Sequence, residues 1–75
     1  MTHLSICDKI ANLIERIFGI PAHKVERSDD VAIDWGLVGK ERDQLETALY
    51  DAFPRCAESF QDCRTVEDFA RMVAP

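Results

Sequence analysis

Basic residues are scarce in this chain: nine Lys and Arg stand against fourteen Asp and Glu, for a net charge of −5. Binding nucleic-acid phosphates requires clustered cations, so this balance excludes a nucleic-acid partner, and attraction to an anionic membrane surface with it. No stretch approaches the ~20 apolar residues of a membrane-spanning helix. The cysteines, Cys7, Cys56 and Cys63, are three, an odd number, with no CxxC pair and no signal peptide ahead of them. They read as reduced thiols of a soluble, cytoplasmic protein rather than as a disulfide framework. His3 and His23 fall at no spacing that suits a zinc site with those cysteines, or a triad with a serine, cysteine or aspartate. No segment carries a strand signal. The expected class is therefore all-α.

What remains is one small domain, spanning residues 1–75, whose 47% hydrophobic content suits a folded core. A chain of this length buries only ~60% of its unfolded surface, so modest stability is expected. Ile6, Ile10, Leu13, Ile14, Ile17 and Phe18 recur at spacings of three and four, the apolar stripe of an amphipathic helix. Ser5 with Asp8, or Thr2, is placed to cap its start, and Gly19 followed by Pro21 to stop it. A second helix is expected over 40–53. Leu45, Ala48, Leu49, Ala52 and Phe53 form its buried face, and Lys40, Glu41, Arg42, Asp43, Glu46 and Asp51 its polar one. Pro54 ends it. A third helix opens at Thr65, which with Asp68 forms a shortened capping box, and turns Val66, Phe69, Ala70, Met72 and Val73 inward. A short helical turn is expected around 57–60.

Between the first two helices, 20–36 lacks a helical period and is too long for a casual connection. Ile20, Val25, Val31, Ile33 and Trp35 are expected to pin it. Asp29 and Asp30, after Ser28, read as turn formers rather than as paired acid-base groups.

From Ile14 to Phe53 the chain resembles the acyl carrier protein family without a gap. Ile17-Phe18-Gly19-Ile20 is similar to the apolar-Gly-Val/Ile turn that ends the family's first helix, and Val25 falls on its early loop valine or isoleucine. Asp34-Trp35-Gly36 resembles the Asp-Leu-Gly ahead of its modification site. Leu45, Ala48, Leu49 and Phe53 match the buried face of its second helix, and Thr65-Val66 the opening of its last. The resemblance implies a bundle of three main helices with a short one before the last. It also implies a phosphopantetheine arm on a serine, but the family's Asp-Ser-Leu is Val38-Gly39-Lys40 here. Glycine offers no hydroxyl to phosphorylate. Ser5, Ser28 and Ser59 do not lie at the required distance. No cofactor is therefore expected, and no enzymatic constellation is present.

The function implied is that of a non-enzymatic interaction or regulatory module, expected as a monomer. Its partner would be a protein, such as an acyl-chain-handling or carrier-dependent enzyme. The alternative is an unrelated small helical adaptor or dimerisation protein. The candidate contact residues are Trp35, Leu37, Val38, Lys40, Glu41 and Glu46, at the loop and the start of the second helix. Trp35 reads either as an apolar plug or as a contact hot spot. Leu37 and Val38, beyond Gly36, either stand exposed for recognition or fold inward as packing. Cys56 beside Arg55 and Cys63 beside Arg64 suggest activated thiols, against the commoner role of cysteine as a small hydrophobe.

Overall fold

A computed structural model describes residues 3–54 and 60–73. Among these, three helices carry the fold: α1 (His3–Phe18), α2 (Lys40–Ala52) and α3 (Val66–Val73), with one 3-10 turn at Ala22–Lys24. No strand occurs among the described residues; an isolated antiparallel bridge joins Asp30 to Thr65. The helical class inferred from periodicity is therefore the observed one. The turn expected around 57–60 lies, except for Phe60, outside the described residues.

Ile6, Ile10, Leu13 and Ile14 of α1 are buried, and α1 packs against both other helices. At its end the stripe leaves the core: Phe18 is half-buried and Ile17 is exposed. Ser5 is not the cap. The helix already runs from His3, so Ser5 sits inside its first turn, and Thr2 lies outside the described residues. Gly19 ends α1 as expected, with φ of 74° and its amide donating to the Glu15 carbonyl at 2.8 Å. Leu45 and Leu49 bring α2 onto the core, while Ala48 and Phe53 are half-buried and Ala52 is exposed. Val66, Phe69, Ala70 and Val73 do the same for α3, and Met72 packs at its edge. Phe60 lies between Tyr50 and Phe69, with ring centroids 4.9 and 5.5 Å away in tilted arrangements.

The α3 capping box is formed. The Asp68 amide donates to Thr65 Oγ1 at 3.1 Å, and the Asp68 carboxylate accepts from the amides of Thr65 and Arg64, each at 3.1 Å. Those two backbone bonds, the Thr65 bond first, lower the Asp68 pKa below its ordinary value of 3.8. A depressed carboxylate stabilises the fold above its unfolded pKa, and that contribution fades as pH falls from about 3.8 through the lower folded value. Asp68→Ala should therefore cost about 1 kcal/mol at pH 7 and less at pH 2, the difference growing as pH falls below the ordinary value of 3.8. Urea titrations at both pH values would measure it, and an equal deficit at both would exclude the carboxylate as the cap.

Residues 19–39 are ordered by what they bond. The amides of Val66 and Glu67 donate to the carbonyls of Asp29 and Arg27, and Val31 donates to Arg64, at 2.8–3.1 Å. The loop is thus laced to the start of α3. Asp29 and Asp30 act as the expected turn formers. Asp29 Oδ2 accepts from the Glu26 amide and from the Trp35 indole, and Asp30 Oδ1 accepts from the amides of Ala32 and Ile33, all at 2.9 Å. Val31 is buried, and Ile20, Val25 and Trp35 pack against the core. Ile33 does not pin the loop. It is 82% exposed, because 31–35 winds helically and puts Val31 and Trp35 on the side opposite to it.

Candidate functional site

The stretch that joins this loop to α2 combines positive-φ backbone, exposed apolar surface and exposed charge. Gly36 and Gly39 both have positive φ and bracket Leu37 and Val38. The chain reverses between them, sending the two side chains opposite ways. Leu37 is 3% exposed and belongs to the core, whereas Val38 is 56% exposed. Leu37 is therefore not a surface contact. Its amide donates to the Val31 carbonyl at 2.9 Å, which draws the side chain in beneath the loop.

Gly39 precedes α2 with φ of 56° and ψ of −118° and caps it with no side chain. The Glu41 amide donates to the Val38 carbonyl at 3.2 Å. Those angles and that bond define a type II′ turn with Gly39 at its first central position, which glycine dominates because L side chains are strained there. Space is not the constraint, since a Cβ at Gly39 would meet nothing within 4 Å. The backbone conformation is. Helix α2 then starts with the Asp43 amide donating to the Gly39 carbonyl at 3.0 Å.

The charges of α2 divide by depth. Lys40, Glu41, Asp43 and Asp51 are exposed. Arg42, which residue type alone assigns to the polar face, turns inward. Its Nη2 donates to the Phe60 carbonyl at 2.6 Å, its Nε to Glu46 Oε2 at 2.7 Å, and its guanidinium lies 4.7 Å from the centre of the Phe69 ring. Glu46 is consequently half-buried and engaged, not a free surface carboxylate. With that pair internal, the helix shows water three acids and one base.

Trp35 is half-buried, with its ring against the core and its indole N–H donating to Asp29. It packs as a plug while staying only half-buried. Val38, Lys40 and Glu41 lie exposed at the entrance of α2.

Neither of the two described thiols is activated. Burial, reinforced by the Asp68 charge, raises the Cys63 pKa, and burial with the Glu67 charge does the same for Cys7. Both thiols are buried and held protonated, so Arg64 does not make Cys63 a thiolate. Cys56 lies outside the described residues. Among the described residues no group of three or more His, Cys, Asp or Glu is placed to hold a metal, and no helix is long and apolar enough to cross a membrane. No family model, curated protein or solved structure matches this chain.

Proposed function

We propose that this chain is an acyl-carrier-like helical domain that cannot be phosphopantetheinylated and acts as a non-enzymatic interaction or regulatory module. One observation carries the reading. Where the carrier pattern requires a serine at the entrance of the second helix, the chain has Gly39 in a glycine-favouring turn. The helix order, the long ordered loop closed onto α3 and the exposed acids of α2 support the same reading. Its partner is a protein of the class that handles acyl chains or docks carriers. The docking surface is the entrance of α2, with Val38, Lys40 and Glu41 at its centre and half-buried Trp35 in the loop ahead of them. Leu37 and Glu46 support that surface from within.

Intact-mass measurement after incubation with coenzyme A and a broad-specificity phosphopantetheinyl transferase tests the central claim. The mass should stay unchanged while a genuine carrier in the same tube is fully labelled. Stoichiometric addition to this chain would overturn the proposal.

A further inference from the structure

Helices α1 and α2 run antiparallel and leave a shallow furrow between them. At one end Ile17 lies beside Lys40 and Asp43; at the other, Lys9 and Asn12 lie beside Ala52 and Phe53. Three adjoining depressions of about 410, 390 and 240 Å³ follow this line. Leu13, Ile17, Ala48 and Ala52 form the middle of the floor. Two of these are alanines, so another helix can approach closely. The walls differ in charge: Lys9 and Arg16 stand on α1, and beyond Lys40 at its start the α2 wall carries Asp43 and Asp51. All five are exposed, and none forms an ion pair with another described residue.

We propose that this furrow seats a second copy of the same chain, face to face about a two-fold axis parallel to the two helices. That axis lays α1 of one protomer over α2 of its partner at the same height. Arg16 then meets the acidic wall at the level of the partner's Asp51, and the partner's Arg16 meets Asp51 in return. The other face-to-face choice, an axis across the helices, would stack α1 on α1 and α2 on α2. It would oppose like charges on both sides, which disfavours it. The charge on the rest of the chain points to the same face. With Lys40 the furrow carries three bases and two acids, a near-neutral balance, whereas the whole chain carries −5, so two copies meet here with less repulsion than the net charge alone would give. Exposed ion pairs contribute little affinity but fix the register, while the apolar floor drives association.

The face is small. Helices of this length are ~20 Å long and pack ~10 Å apart, which gives roughly 400 Å² per protomer, half of a standard interface. The dimer is accordingly weak, half-formed at about 0.1–1 mM, and dilute samples are monomeric. This inference is independent of the carrier-like reading, because labelling by the transferase bears on one and self-association on the other.

Sedimentation equilibrium from roughly 10 µM to 1 mM tests it. The weight-average mass of the unmodified chain should climb toward twice the monomer. Arg16→Asp and Asp51→Arg should each weaken association at least tenfold, with unchanged helical circular dichroism. Mixed in equal amounts, the two variants should associate as tightly as the unmodified chain, because each mixed dimer opposes acid to base at both contacts. A chain that is monomeric throughout the range overturns the proposal. So does a dimer indifferent to both substitutions, or a mixture no tighter than either variant alone.

Discussion

Arg42→Ala should lower the unfolding free energy by about 2–4 kcal/mol, more than any other charge removal on this surface. Three contacts are lost together. The Phe60 carbonyl, which keeps its bond from the Cys63 amide at 3.0 Å, loses a charged donor at 2.6 Å, and a hydrogen bond from a charged group is worth about 1.5–3 kcal/mol. The guanidinium also leaves the face of Phe69, a contact worth roughly 0.5–2 kcal/mol where partly desolvated. The Glu46 carboxylate then stands half-buried without its cation. Arg42→Lys should recover little, since an ammonium cannot bond Phe60 and Glu46 in the same fork while stacking on a ring. Arg71 supplies the control. Its side chain is 65% exposed and its nearest acidic oxygen is 3.6 Å away, so Arg71→Ala should cost no more than ~0.5 kcal/mol. Urea denaturation of the three variants decides. Equal losses for Arg42→Ala and Arg71→Ala would show that the inward arginine is only surface charge.

Arg42 also shows where the sequence was legible and where it was not. The helices could be read because their apolar residues repeat at three and four, and their ends because Gly19, Pro54 and the Thr65–Asp68 pair are local signals. Residue chemistry places Arg42 on the polar face, whereas its position does not. It precedes Leu45 by three and Leu49 by seven, so it lies on the buried face, and its long stem lets a charged head reach inside. Ile33 failed differently. Val31, Ile33 and Trp35 alternate as in an extended segment, but the Asp30 and Asp34 carboxylates wind that segment into a helical turn. The opposite fates of Leu37 and Val38 depend on backbone angles at Gly36 and Gly39, which composition does not specify. The bonds that tie 27–31 to the start of α3 are backbone to backbone, and they leave no residue pattern to find.

Gly39→Ser should fail to create a modifiable carrier, and it should destabilise the chain by about 1–3 kcal/mol. A serine there brings the missing hydroxyl, and in an ordinary helix start it would add a cap. Here it must first enter φ of 56° and ψ of −118°, or else the turn must open. Opening it breaks the Glu41-to-Val38 bond and moves Val38 and Lys40, the residues on either side of position 39. Gly39→Ala should cost a similar amount although no side-chain clash awaits its Cβ, because the penalty lies in the backbone. Restoring the whole pattern, with Val38→Asp and Lys40→Leu added to Gly39→Ser, should label better than the single change. The added aspartate restores an acidic group beside the hydroxyl, and the leucine an apolar contact for the transferase. Changes at adjoining positions are not additive, so the gain of the triple variant must be measured directly and not summed from the separate substitutions. Mass spectrometry gives the labelled fraction, and urea melts of the same samples give the strain. Efficient labelling of a fully stable Gly39→Ser chain would mean that the turn is no obstacle to modification at this position.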